Sequence, residues 1–148
     1  MWTNLSVMLS GGFQILHVED DAIEREAVAR SLAKTDIAAP FTSASDGIEA
    51  LEVLRANKAG PDVKPFLVLL DWKMPRMNGQ EFLAELRSDP DLRQTVVFVL
   101  TTSADQRDVA AAYEQLVAAY IVKGSTGADF GRLASLLEAY LDVVELPA

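Results

Sequence analysis

The chain has 148 residues, a length that suits one domain with a sizeable core. Half of the residues are apolar and about a quarter are charged, and no apolar run approaches the length of a membrane span. A formal charge of −9 argues against nucleic acid as the direct partner; the absence of cysteine excludes disulfides and thiolate zinc sites, and one histidine cannot build a His-rich metal site.

Residues 1–12, MWTNLSVMLSGG, lack the basic flank of a secretory signal and read as a short extension, so the cytoplasm is the default compartment. QILHV (14–18) is the first predicted strand, with His17 as a packed core residue. Three acids, Glu19, Asp20 and Asp21, stand where it should end. A helix is expected over 22–34, with Ile23, Val28 and Leu32 among its apolar positions. PFTSA (40–44) is the second strand, and Ser45 or Asp46 caps a helix whose face carries Ile48, Leu51 and Leu54. NKAGPDVKP (57–65) is rich in turn formers and reads as a surface loop. FLVLL (66–70), VVFVLT (96–101) and AYIV (119–122) complete the strands; near-continuous apolar character marks strands buried on both faces. Helical stripes follow each of them: Phe82, Leu83 and Leu86; Val109, Ala112, Tyr113 and Leu116; then Phe130, Leu133, Leu136, Leu137 and Tyr140.

Five β-α units in succession favour an α/β fold, a doubly wound five-stranded parallel sheet with helices on both faces. Ligands of such a sheet bind beyond the carboxyl ends of its strands. Four strand ends carry Glu19, Asp20 and Asp21; Asp71; Thr101, Thr102 and Ser103; and Lys123. Carboxylates without Cys or His suit a hard, oxygen-preferring cation such as Mg2+, which would offset their mutual repulsion. A lone lysine would then stabilise an added anion, and a threonine hydroxyl could bond a phosphoryl oxygen.

The pieces ILHVEDD, DGIEALEVL, LVLLDWKMPRMNG, FVLTTS and AYIVK, in this order, resemble the receiver domain of two-component response regulators, the CheY-like, flavodoxin-like (βα)5 fold. The resemblance covers residues 13–141. It implies that Asp71 accepts a phosphoryl group from a phosphohistidine of a sensor histidine kinase. It implies Mg2+ held by Asp20 directly, by Glu19 through water, by Asp71 and by the backbone carbonyl of Lys73. Thr101 matches the switch hydroxyl, Lys123 the phosphoryl-pairing lysine and Tyr120 the switch aromatic; Asp21 falls past the acidic pair and reads as a helix cap or surface charge. The protein would then be a phosphoacceptor rather than a classical enzyme. A phosphorylation-independent interaction module is the alternative. A phosphatase of the haloacid-dehalogenase type needs a second aspartate where Lys73 stands, so that reading is poor.

Three positions depart from the pattern. Gly124 replaces the usual proline after the lysine and leaves the geometry of that loop open. Thr102 is bulkier than the usual small residue, and Lys73 puts a cation at the rim; both are expected to alter how fast the acyl phosphate is lost to water. Residues 142–148 are too few for a DNA-binding module, so output by protein contact is expected, with a histidine phosphotransfer protein as a further candidate partner. The stretches LLDWKMPRMNGQEFLAEL and VVFVLTTSADQRDV look most like stand-alone regulators paired with bacteriophytochrome kinases, which would imply red-light signalling and a homodimer. The tail at 142–148 is a candidate dimer arm; the competing dimer surface carries Val109, Tyr113, Tyr120 and Tyr140. No contact with nucleic acid or membrane is expected.

Overall fold

The computed structural model describes residues 12–147, so the extension at 1–12 lies almost wholly outside the described residues. Five strands, β1 (Gln14–Val18), β2 (Phe41–Ala44), β3 (Phe66–Leu70), β4 (Val96–Thr101) and β5 (Ala119–Val122), form one parallel sheet in the order β2-β1-β3-β4-β5. Helices α1 (Ala22–Ala33), α2 (Gly47–Ala59), α3 (Gly79–Ser88), α4 (Gln106–Glu114) and α5 (Gly131–Val143) follow the strands in turn. Parallel neighbours need a crossover, and a helix supplies it while covering a face of the sheet.

Alternation along the strands divides the core. Leu16, Val18, Val68, Leu70, Val97 and Val99 point to the face covered by Leu51 and Leu54 of α2, Phe82, Leu83 and Leu86 of α3 and Ala112 of α4. Ile15, Leu67, Leu69, Phe98 and Leu100 point to the other, against Val28 and Leu32 of α1 and Leu133 and Leu137 of α5. Each such side chain, fully buried, contributes about 1.5–3 kcal/mol. All five residues of β3 are buried, which explains why FLVLL reads without polar breaks.

Helix starts are fixed by side chains that accept free backbone N–H groups. Asp21 accepts from Ile23 and Glu24, Asp46 from Glu49, and Asp105 from Arg107. Asn78 and Glu81 form a reciprocal capping box on α3. Gly79 is required by close approach: a Cβ there would lie 2.9 Å from the Asp71 carbonyl oxygen and from Trp72 Cα.

Three details differ from the sequence reading. Helix α2 continues through Ala59, because Asn57, Lys58 and Ala59 extend it before Gly60 ends it, so the connector is shorter. Helix α4 stops at Glu114; Leu116 lies past its end with φ 61° and is 76 % exposed, so of the apolar stripe only Ala112 is fully buried. Ile23, on the first turn of α1, points to solvent. The final residues fold back: Leu146 packs against the cluster of Ile15 and Leu137, and Pro147 sits beside Thr95.

Candidate functional site

Register brings the polar residues to one edge. Val18 pairs with Ala44 and Leu70, Leu70 with Val99, and Thr101 with Val122. Glu19 and Asp71 therefore leave the sheet at one level, and β4 and β5 run two residues further, to Thr101 and Val122, before Thr102 and Lys123 leave the same edge. Backbone bonds continue past the strands, from Glu19 N–H to the Ala44 carbonyl and from Asp71 N–H to the Val18 carbonyl. These hold both carboxylates rigidly at the rim.

Glu19 and Asp71 are buried, while Asp20 is exposed. The three can each offer an oxygen so that all the oxygens lie within 4.8 Å of one another. Lys123 Nζ stands 3.2 Å from Glu19 Oε2, 2.6 Å from Glu24 Oε2 and 3.8 Å from Asp71 Oδ1. The Glu24 contact is the shortest of the three. Three carboxylates thus face one ammonium. An all-oxygen donor set with excess negative charge fits a hard dication, with Glu19, Asp20 and Asp71 as the residues that would hold it.

The electrostatics follow from crowding. Burial, contact with the Glu24 carboxyl and the field of Asp71 hold the Glu19 carboxyl well above the usual range, against the pull of Lys123. Burial alone would lower the Lys123 pKa, but contact with Glu24 and the fields of Asp71 and Glu19 outweigh it, and the net shift is upward. His17, on β1 beneath the cluster, is 1 % exposed, with an unpartnered Nδ1. Its pKa is lowered to about 4, chiefly by burial, so the ring is neutral at pH 7.

On the β4 side, Thr101 is fully buried and its Oγ1 accepts from the Ser103 N–H at 3.4 Å. Ser103 Oγ donates to Asp108 at 2.5 Å. The Tyr120 hydroxyl donates to the Ser103 carbonyl at 2.8 Å, and its ring meets Trp72 edge-on at 6.4 Å. Tyr120 thereby bridges β5 to the loop after Thr101. Thr102 and Lys73 are exposed. An open groove of about 530 Å³ borders the rim, lined by Asp20, Trp72, Lys73, Met74, Asn78 and Asp108 among others.

Lys123 opens a short 3-10 turn ending at Ser125, closed by Thr126, whose N–H and Oγ1 both donate to the Lys123 carbonyl. The Lys123–Gly124 bond is trans, and nothing lies within 4 Å of where a Cβ on Gly124 would be. The loop therefore closes without proline.

Sequence reasoning missed several contributors. Glu24 reads as an ordinary first-turn acid of α1, and Arg25 donates to the Glu19 carbonyl at 2.6 Å. Arg76, in the loop after Asp71, pairs with the buried Asp46 at the start of α2. The position of Glu24 was signalled by the Asp21 cap, which fixes where the helix begins; its contact with Lys123 depends on tertiary packing.

The sequence model of the response regulator receiver domain matches residues 15–134. The chain is similar to the response regulator Rcp1 of Synechocystis sp. (strain ATCC 27184 / PCC 6803 / Kazusa), 35 % identical over 136 residues that cover 90 % of this chain and 92 % of Rcp1. Among solved structures, the Mn2+-bound form of Rcp1 superposes with TM-score 0.78 at 34 % identity, covering 92 % of this chain and 99 % of that one. The phosphorylated cyanobacterial phytochrome response regulator RcpA superposes with TM-score 0.75 at 30 % identity, covering 93 % and 99 %.

Proposed function

The chain belongs to the response regulator receiver domain family, and from that premise we propose that Asp71 accepts a phosphoryl group from the phosphohistidine of a sensor kinase. The observation that carries this reading is the meeting of Glu19, Asp20, Asp71 and Lys123 at one sheet edge. An Asp71 oxygen attacks phosphorus; the new O–P bond forms as the P–N bond breaks, and the imidazole leaves with the electron pair and gains a proton from water. Positioning and charge neutralisation supply most of the acceleration in such transfers.

Glu19, Asp20, Asp71 and the Lys73 carbonyl are the groups that would hold Mg2+. When bound, the ion neutralises charge shared between the carboxylate and the phosphoryl oxygens. Lys123, 3.8 Å from Asp71, adds a positive charge of its own. The Thr101 hydroxyl turns toward the new anion, and the Tyr120 ring, tied to the Ser103 carbonyl, carries that change to the surface formed by α4, β5 and α5. The groove beside Asp20 and Lys73 gives the donor imidazole room to enter. Thr102 and Lys73, exposed at its edge, tune the loss of the acyl phosphate to water.

The signal passes by protein contact. A phytochrome-type kinase is the proposed donor, on the strength of similarity to a regulator described as a cyanobacterial phytochrome response regulator. A histidine phosphotransfer protein is a further partner, and the working unit is a cytoplasmic homodimer, using either the tail at 142–148 or the face bearing Val109, Tyr113, Tyr120 and Tyr140. Among the described residues, no helix is long and apolar enough to cross a membrane.

Incubation with acetyl phosphate and Mg2+, followed by intact mass, tests the chemistry. The parent gains one phosphoryl group and Asp71→Asn gains none. Equal labelling of both proteins overturns Asp71 as the acceptor.

A further inference from the structure

Lys123 faces three carboxylates at unequal distances. The distances rank them: Glu24 at 2.6 Å, Glu19 at 3.2 Å and Asp71, the carboxylate that the reaction uses, at 3.8 Å. Attraction grows as separation falls and as water is excluded. The side chains of Lys123 and Glu24 are 13 % and 17 % exposed, so solvent screens this pair weakly. Glu24 comes from the first turn of α1, whose start is pinned by the Asp21 cap and by Arg25 on the Glu19 carbonyl. Its carboxylate is therefore held by a rigid element. His17 and Glu19 complete a pocket with Glu24 in which three ligand atoms lie within 4.8 Å of one another. The ammonium of Lys123 contacts two of the three, Glu24 and Glu19.

We propose that Glu24 is a positioning residue that holds the Lys123 ammonium on the α1 side of the site in the resting protein and releases it when a phosphoryl group arrives on Asp71. This inference rests on the reading of Asp71 as the acceptor. The resting pair keeps Lys123 from settling on Asp71. Phosphorylation replaces a single carboxylate charge by roughly −1.5 to −2 of phosphoryl charge, enough to draw the ammonium across. Glu24 thereby sets a threshold on both the gain and the loss of the phosphoryl group.

The test is a cycle of Glu24→Gln, Lys123→Ala and the double variant, each labelled with acetyl phosphate at saturating Mg2+. Rates are referred to the folded fraction measured by circular dichroism in the same buffer. In this reaction the Asp71 O–P bond forms as acetate departs with its electron pair. Glu24→Gln keeps the shape of the side chain and removes its charge, and it is expected to speed labelling about three- to tenfold. Glu24→Asp, which keeps the charge, stays closer to the parent than Glu24→Gln does. In the Lys123→Ala background the Glu24→Gln change has no further effect, because the residue acts through the missing ammonium. Labelling of Glu24→Gln at or below the parent rate overturns the inference, and so does the same acceleration without Lys123. A parent that does not label at all overturns the acceptor reading and this inference with it, an outcome distinct from the other two.

Discussion

The two ends of the sheet each enclose a cation, and they treat it in opposite ways. At the amino end Arg87, in the last turn of α3, reaches beneath β4 and β5 and donates to four carbonyls, those of Gln115, Arg93, Thr95 and Leu116, at 2.7 to 3.2 Å. Every partner is a neutral backbone oxygen, and four of the five guanidinium N–H groups are used. At the carboxyl end Lys123 faces three carboxylates at three distances, 2.6, 3.2 and 3.8 Å. A cation bonded to fixed backbone oxygens has one arrangement and holds loops together. One set among several carboxylates has several of similar energy, and an incoming anion can choose among them.

Breaking the carboxyl end should produce the largest change. Lys123→Ala is expected to cut acetyl phosphate labelling about 100- to 1000-fold, the loss typical of removing one charge-stabilising donor. Its stability should fall most at high pH, where the facing carboxylates are all ionised, and added Mg2+ should restore it; denaturant melts at pH 5 and pH 8, with and without the ion, measure this. Breaking the amino end should give the converse. Arg87→Met keeps the aliphatic stem but removes the bonds to four carbonyls, at a cost of about 3 kcal/mol in urea unfolding. The labelling rate per folded molecule should not change.

Acid sharpens the contrast through His17. The folded protein keeps this ring neutral down to about pH 4, whereas the unfolded chain protonates it near 6.5. Between those values the unfolded state binds more protons, so stability is present above 6.5 and falls as the pH drops toward 4, by at most about 3 kcal/mol. His17→Met should flatten that limb of the stability curve. Glu19 acts in the opposite sense. Its folded pKa is raised, so the folded state holds the extra proton and stability declines as the pH rises above the usual carboxylate range. The smallest effect belongs to Gly124: with open space at its Cβ and no positive φ, Gly124→Ala should stabilise by about 0.5 kcal/mol through the unfolded state alone. A loss above about 1 kcal/mol would show that the turn after Lys123 needs glycine.

The strands were legible because burial on both faces leaves apolar runs with no other explanation, and FLVLL and VVFVLT agree with β3 and β4 residue for residue. Asp21 was read as a cap or a surface charge and the second cap as Ser45 or Asp46; the structure makes Asp21 and Asp46 the caps, as short polar side chains before apolar periods favour. The meeting of Glu19, Asp20, Asp71 and Lys123 followed from topology, since parallel strands end on one edge. Helix α4 was read too long: its apolar spacing persists to Leu116, while the backbone turns left-handed there so that Val117 can start down toward β5. Glu24, Arg25 and Arg87 were missed for one reason. Their partners lie on other elements, and nothing in local spacing tells a solvated charge from one folded inward.

The return of the chain at Leu146 and Pro147 has a practical corollary. Pro147 rests by Thr95 and Arg87, on the side of the molecule away from Asp71. A fluorophore or affinity handle joined after it would emerge at the far pole, leaving the groove by Lys73 free for a docking donor. Such a label would report rotation and assembly of the whole body without itself touching the chemistry.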